Sequence, residues 1–302
     1  SNSDASVLDR LEKILGYRLP FEEGDIRDYD RLKEVLSRHQ IEAVVHFAGL
    51  KAVGESVEKP LEYFDNNISG TITLLRAMKD LNIKRIIFSS SATVYGTPQY
   101  LPLDENHPLS VTNPYGRTKL QVEEILSDLC ASDSDWSAVC LRYFNPIGAH
   151  ESGLIGENPR GIPNNLLPYV ARVAAGQLKA VRVFGNDYET PDGTGVRDYI
   201  HVVDLAKGHV NAAQYSFSHT GWIAINLGTG IGYSVLDIIH AYEKACGKPI
   251  PYEIVARRPG DVASNWANPQ RALELLGWRA QYGLDDMCRH SWAFQKNCAQ
   301  AQ

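Results

Sequence analysis

Tyr115 and Lys119 stand four residues apart in Tyr115-Gly-Arg-Thr-Lys119, downstream of an apolar run, Arg85-Ile-Ile-Phe88, that passes into Ser89-Ser90-Ser91. On a helix, residues i and i+4 share one face, so a phenol and an ammonium would converge on a single spot. That combination suits proton transfer. A free tyrosine titrates near pH 10, and bringing it towards 7 takes about 4 kcal/mol of phenolate stabilisation, which a fixed cation in a partly dry site supplies. A tyrosine so tuned can take the proton from an alcohol undergoing oxidation. Spacing alone is weak evidence. With 15 tyrosines in the chain, chance yields about 0.6 such pairs, and a helix-capping tyrosine with a solvated lysine is the plain alternative. The serine triplet at a strand end and the helix-start signal Asn113-Pro114 tip the balance towards chemistry.

The elements that must hold these groups are legible as alternating short apolar runs and longer helical patterns. Ala43-Val-Val-His-Phe-Ala48, Arg85-Ile-Ile-Phe88 and Ser137-Ala-Val-Cys-Leu-Arg-Tyr-Phe144 are near-continuous apolar segments, as parallel strands covered on both faces require. Helical patterns cover Asp28 to His39, Leu61 to Leu81 and Tyr115 to Cys130, the last with Val122, Ile125, Leu126 and Leu129 at helical spacing. Strand, helix, strand in this order predicts an α/β fold with a doubly wound, Rossmann-like parallel sheet. Ligands in such sheets sit beyond the carboxyl ends of the strands, where Gly49-Leu50-Lys51, Ser89 to Ser91 and Asn145-Pro146 fall.

Composition sets the wider bounds. At 302 residues, 44% hydrophobic and 22% charged, the chain reads as an ordinary globular protein of one large domain or two. A net charge of −6 without any Lys/Arg run argues against nucleic acid and membrane surfaces as partners. The five cysteines, Cys130, Cys140, Cys246, Cys288 and Cys298, include no C-x-x-C pair, so neither a disulfide framework nor a metal site is suggested and a cytoplasmic location is expected. No apolar stretch approaches a membrane span, and the polar start is no signal peptide.

After about residue 146 the texture loosens. Gly and Pro are frequent between Gly153 and Pro163, short strand-like pieces appear at Ala180 to Phe184 and Trp222 to Leu227, and helices begin at Leu236 and Pro269. We therefore expect a first domain over 1–146 and a smaller α/β substrate domain over 147–302, with part of 196–215 packing back on the first. A glycine-rich turn after the first strand, the usual pyrophosphate cradle, is not found before residue 43. Gly228-Thr-Gly230-Ile-Gly232 imitates part of that signature, but no acidic residue is suitably placed some twenty positions on, and a tight turn is its simpler role. The expectation is a chain that starts inside a domain, on a polar segment leading into the helical Val7 to Leu15.

His46-Phe-Ala-Gly-Leu-Lys-Ala-Val-Gly-Glu-Ser56, Ser89-Ser-Ser-Ala-Thr-Val-Tyr-Gly96, Tyr115-x-x-x-Lys119, Leu141-Arg-Tyr-Phe-Asn-Pro146, Gly161-Ile-Pro-Asn-Asn-Leu166 and Gly193-Thr-Gly-Val-Arg-Asp-Tyr-Ile-His201 together resemble the UDP-galactose 4-epimerase family of extended short-chain dehydrogenase/reductases. The resemblance runs from Ser1 to about Trp292. It departs at the amino terminus, where that family has a strand and a G-x-x-G-x-x-G turn, so the resemblance makes the first domain N-terminally truncated. What it implies is NAD as a resident cofactor and a UDP-hexose oxidised and re-reduced at C4, the 4-keto sugar turning over in the pocket between the two steps. Tyr115 would take the 4-hydroxyl proton, Lys119 would keep the phenol acidic, and Ser91 would hydrogen-bond and align the same oxygen.

For NAD, the matching positions are Asn2 and Ser3 as the stub of the ribose-binding segment, Asp25 and Ile26 beside the adenine, Phe47, Ala48 and Lys51 along diphosphate and ribose, Asn66 near the Lys51 turn, and Tyr115, Lys119 and Tyr143 at the nicotinamide end. For the UDP-sugar, the resemblance points to Lys51, Ser91, Tyr115, Tyr143, Asn145, Asn164, Asn165, Leu166, Phe184, Arg197, Arg258, Asp261 and Asn265. A planar guanidinium can grip two phosphate oxygens at once, which suits Arg197 and Arg258. Plain readings stand beside several of these: Asp25 could cap the helix from Tyr29, Lys51 could be a solvated charge, and the asparagines could satisfy loop backbone.

The serine strand also separates reactions. Sugar-nucleotide 4,6-dehydratases carry an Asp-Glu pair where Ala92 and Thr93 stand, because eliminating water needs an additional acid and base. Asn265, in Asp261-Val-Ala-Ser-Asn-Trp266, occupies the position the family uses to size the pocket around the sugar 2-substituent, and a residue smaller than tyrosine admits an N-acetyl group. A homodimer through Leu61 to Leu81 and the Tyr115 helix is a further implication. The missing turn keeps other readings open, a catalytically impaired nucleotide-binding or regulatory protein or another NAD-dependent nucleotide-sugar enzyme, and it leads us to expect weak NAD binding by these residues alone.

Overall fold

The structure, a computed structural model, describes residues 4–258 and 260–300, so the expectations for Asn2 and Ser3 fall outside the described residues. Its main sheet is four parallel strands, β1 (Val44–His46), β2 (Arg85–Ser89), β3 (Ser137–Tyr143) and a late strand, Gly221–Leu227, in that spatial order. Both faces are apolar because alternate residues of each strand point to opposite sides. Ile86, Phe88, Ala138 and Cys140 pack under the Gly70–Asp80 and Pro114–Ser132 helices with Leu74, Met78, Val122 and Leu126. Ile87, Val139, Leu141, Ile225 and Leu227 pack on the other face with Leu205 and Ala212 of the Val202–Ser216 helix. Helices on both faces of a parallel sheet give the doubly wound, Rossmann-type architecture.

The remaining strands follow as β4 (Asn145–Ile147), β5 (Val181–Phe184), β6 (Val196–His201), β7 (Gly221–Leu227, the fourth strand of the main sheet), β8 (Gly232–Ser234), β9 (Tyr252–Val255) and β10 (Ser264–Asn265). β4, β6 and β10 form a parallel sheet with β8 added antiparallel to β6, and β5 pairs with β9. Leu167, Val170, Val181, Val183, Tyr199, Ile238, Ile239 and Tyr242 make the separate core beneath them. The chain thus leaves the main sheet after β3, begins this second layer with β4 to β6, returns through the Val202–Ser216 helix and β7, and then completes the layer with β8 to β10.

Two local features place the site. Asn113 accepts a hydrogen bond from the Gly116 N–H at 2.8 Å and Pro114 occupies the first helical position, so the Tyr115 helix starts where its sequence signals say. The pattern read as one helix over 61–81 is instead the Pro60–Phe64 helix, a π-helical turn at Asp65–Ser69, and the Gly70–Asp80 helix. A π-helical turn adds one residue to the local repeat and often marks a functional site. Among the described residues no helix is long and apolar enough to cross a membrane.

Candidate active site

β2 ends at Ser89, and Ser91 then caps a short 3-10 turn, Ala92–Tyr95, its hydroxyl accepting from the Thr93 N–H at 3.2 Å. The Pro114–Ser132 helix lies across this strand end, and Tyr115, Lys119 and Glu123 are all on its buried face. Spacing and structure agree here: four-residue steps keep the three on one stripe. Lys119 is 6% exposed, and its ammonium donates to the Ser89 carbonyl at 2.7 Å while lying 4.8 Å from the Phe88 ring centroid and 5.8 Å from that of Tyr115. Tyr143, at the end of β3, accepts from the Ser89 hydroxyl at 2.9 Å. Ser91, Tyr115, Lys119 and Tyr143 therefore meet at the carboxyl ends of β2 and β3, where open α/β sheets bind ligands.

The electrostatics correct one expectation. Burial drives the Tyr115 phenol up, the neighbouring Tyr143 adds to the rise, and the Ser91 hydroxyl opposes it through hydrogen bonding. Lys119, whose ammonium lies 5.8 Å from the Tyr115 ring centroid, is not among the groups that shift the phenol. Burial also brings the Lys119 ammonium down to about 8, with Glu123 acting in the opposite direction. His46 is held down to about 3 by burial and by the charge of Lys119, so it is neutral near pH 7, bonded to the Thr71 hydroxyl at 2.8 Å.

The depressed lysine has a consequence for stability. Its folded value lies below the roughly 10.4 of an unfolded lysine, so between the two the unfolded chain binds more protons. Folding stability then rises with pH from about 8 to about 10, and the burial penalty is fully present below 8. For Lys119→Met we expect this rise, on the order of 3 kcal/mol or less, to vanish from urea-unfolding curves across that range. An identical pH slope in parent and variant would contradict it.

Beyond β1 the structure shows a residue not named in the sequence reading. Asn67, 5% exposed, accepts from the Leu50 N–H at 2.8 Å and donates to the Leu50 carbonyl and the Thr118 hydroxyl, both at 3.0 Å. It ties the Gly49-Leu50-Lys51 turn to the Tyr115 helix. Asn66, the residue expected there, is only half-buried and donates to Asn67 at 2.9 Å. Ser56 was also unforeseen; its hydroxyl accepts the Tyr115 N–H at 3.2 Å. Phe47 is exposed and packs against His209 with ring centroids 4.6 Å apart, Ala48 is exposed, and Lys51 reaches Glu157 at 3.7 Å. Asp25 is not the helix cap: Asp28 is, accepting from the Arg31 N–H. Asp25 instead grips Arg27 through backbone and guanidinium, which holds its carboxyl down at about 2, and Ile26 packs towards Gly70.

The expected sugar-nucleotide residues fall into two groups on the second layer. β10 runs beside β6 so that Asn265 pairs with Arg197, and the Asn265 side-chain oxygen is buried without a partner. Arg258 stacks 4.7 Å from the Phe184 ring and bonds Asp261 at 2.9 Å. Asn145 and Asn164 are exposed, Leu166 begins the Leu166–Ala174 helix, and Asn165 donates to Glu157 at 2.9 Å. Glu157 thus joins Lys51, in the turn after β1, to Asn165.

The decoy glycines are accounted for. Asp198, buried on β6, accepts from the Thr229 and Gly230 N–H groups at 2.9 Å, the Thr229 hydroxyl at 2.7 Å and the Ala267 N–H at 3.1 Å. The donors a pyrophosphate would need already serve this carboxylate, and the glycines form a turn between β7 and β8. At the nicotinamide end the residues do fit the cofactor. Thr93 keeps a buried hydroxyl without a partner close to Ser91, and Lys119 and Tyr115 face the same strand end.

Comparison with known proteins agrees with this arrangement. The family described as GDP-mannose 4,6 dehydratase matches residues 1–291. The UDP-glucose 4-epimerase of Bacillus subtilis (strain 168) is 56% identical over 297 residues, which is 98% of this chain and 88% of that protein. The human UDP-glucose 4-epimerase is 59% identical over 290 residues, 96% of this chain and 83% of that protein. The chain belongs to the UDP-glucose 4-epimerases of the extended short-chain dehydrogenase/reductase family. A solved epimerase from Stenotrophomonas maltophila, with bound NAD and formylated UDP-arabinopyranose, superposes with a TM-score of 0.98 at 52% identity over 100% of this chain and 90% of that one. One from Bifidobacterium longum, in complex with NAD+ and UDP, gives 0.95 at 55% identity over the same shares. The broad family description names a dehydratase, yet the epimerase relatives accord with Ala92 and Thr93 standing where dehydratases carry their carboxylates.

Proposed function

We propose that this chain interconverts UDP-galactose and UDP-glucose by epimerisation at C4, with NAD as cofactor. The observation that carries the reading is the convergence of Ser91, Tyr115 and Lys119 at one strand end in a chain whose relatives are UDP-glucose 4-epimerases. NAD, when bound, supplies a reversible acceptor for the hydrogen leaving C4 and brings a positively charged ring beside the phenol. Tyr115 takes the proton of the 4-hydroxyl and gives it back, and Ser91 aligns that oxygen. Lys119 holds the strand end through the Ser89 carbonyl and would hold the nicotinamide ribose when the cofactor is bound. Phe47, Ala48, Lys51 and Tyr143 line the cofactor side, and Asn67 keeps the Lys51 turn in place.

On the sugar-nucleotide side, Arg197 and Arg258 hold the diphosphate, Phe184 lies at the uracil, and Asn145, Asn164, Asn165 and Leu166 hold polar edges of sugar and base. The division into a cofactor half and a sugar-nucleotide half follows the two cores, with the Val202–Ser216 helix and β7 belonging to the first. A homodimer through the 61–81 region and the Tyr115 helix is supported by the exposure of Leu61, 78%. A cytoplasmic location fits five free cysteines.

Activity on UDP-galactose and on UDP-N-acetylglucosamine tests the reading and its specificity together. Turnover of both is expected, since Asn265 leaves space where tyrosine would fill it. Asn265→Tyr should cut the acetylated activity by about 10-fold or more, the size of a steric rejection, while sparing UDP-galactose. Strict rejection of the acetylated sugar by the parent would refute the specificity, and no turnover of either sugar would refute the function.

A further inference from the structure

Behind the site lies an ion pair that the proton-transfer chemistry does not use. Glu123, 1% exposed, takes both oxygens to Arg142, 2% exposed: Nε lies at 3.0 and 3.1 Å from the two oxygens and Nη2 at 2.6 Å from the second. The same carboxylate accepts from the Ser90 hydroxyl at 2.5 Å, and the guanidinium donates to the Tyr95 hydroxyl at 3.3 Å. Tyr95 in turn donates to Asn226 on β7 at 2.6 Å, and Asn226 donates to the Leu103 carbonyl at 2.9 Å. Ser90, Tyr95 and Asn226 are all at 0% exposure.

An ion pair this deep is weak evidence for stability, because desolvation opposes it and apolar residues of similar volume often serve the fold as well. Its position suggests another use. Ser91 sits between the two residues that the pair holds, Ser90 before it and Tyr95 after it. Glu123 is also on the same helical stripe as Tyr115, two turns along. One rigid group therefore fixes the turn carrying Ser91 relative to the helix carrying Tyr115. We propose that Glu123 and Arg142 are positioning residues that set the Ser91 hydroxyl against the Tyr115 phenol, so that both meet the reacting oxygen of the sugar. This rests on the reading of Ser91 and Tyr115 given above.

The test is the double variant Glu123→Leu/Arg142→Met, which removes both charges at similar volume. Two quantities are compared with the parent: kcat and KM for UDP-galactose, and amide hydrogen exchange of peptides covering 89–95. We expect KM within about twofold and kcat lower by about 10-fold or more, as misplacement of a reacting group produces, with faster exchange confined to 89–95. An unchanged kcat, a loss confined to KM, or unchanged exchange in 89–95 overturns the proposal. Should the double variant fail to fold, Ser90→Ala removes only the Glu123 link and is judged by the same two readouts, with about a threefold or greater fall in kcat expected. A parent without epimerase activity would sink the functional reading, and the exchange data would then decide the positioning on their own.

Discussion

Tyr115→Phe lowers kcat for UDP-galactose by about 10²- to 10⁴-fold, the usual range for removing a general acid–base group, with the fold intact. The substitution deletes one oxygen from a side chain that is 7% exposed and leaves its ring packing in place. Ser91 is the hydrogen-bonding neighbour that lowers the phenol's pKa, and Ser91 keeps its bond to the Thr93 N–H when the phenol is gone. The cost to stability is then about 1 kcal/mol or less. Steady-state kinetics beside thermal unfolding separates the two effects. Activity within tenfold of the parent in a folded variant would remove Tyr115 from the chemistry.

Arg142→Met alone destabilises the chain by about 3–5 kcal/mol, because it strands the Glu123 carboxylate in the core without its cation. Glu123→Leu should cost a similar amount by stranding the guanidinium. The double variant should recover most of this loss. Urea unfolding of the four proteins measures the coupling, and costs that simply add would mean that the two groups do not act as a pair. This cycle concerns stability only, and it supplies the folded double variant needed for the positioning experiment.

How far the sequence reaches is clearest around Tyr115. The phenol and ammonium share a face because an unbroken helix, capped by Asn113 and started by Pro114, keeps the repeat that spacing assumes. The resemblance names Asn66 near the Lys51 turn, and the structure adds its neighbour Asn67 as the residue that ties this turn down. The π-helical turn at Asp65–Ser69 adds a residue to the repeat and presents the next side chain inward, which spacing cannot reveal. On paper Asp25 could cap the helix from Tyr29, but the residue directly before that helix is Asp28, whose carboxylate accepts the Arg31 N–H, while Asp25 binds Arg27. The apolar runs of β2 and β3 announced buried parallel strands. That Gly221–Leu227 joins them was not legible, because a strand's partner is set by long-range packing, here through Ile225 and Leu227 against Ile87 and Leu141. β4, β8 and β10 are two or three residues long and carry too little pattern to be read at all. The direction of the Tyr115 shift was missed for a related reason: spacing brings Lys119 near, but only coordinates show how deeply the phenol is buried, which is the main cause of its rise.

The central claim is that one hydrogen leaves C4 of the sugar and returns to the same carbon while Tyr115 carries the proton of the 4-hydroxyl. UDP-galactose bearing deuterium at C4, incubated with the chain in ordinary water, tests it most directly. The account predicts UDP-glucose that retains the deuterium at C4. Product that has exchanged that label for solvent hydrogen would contradict it.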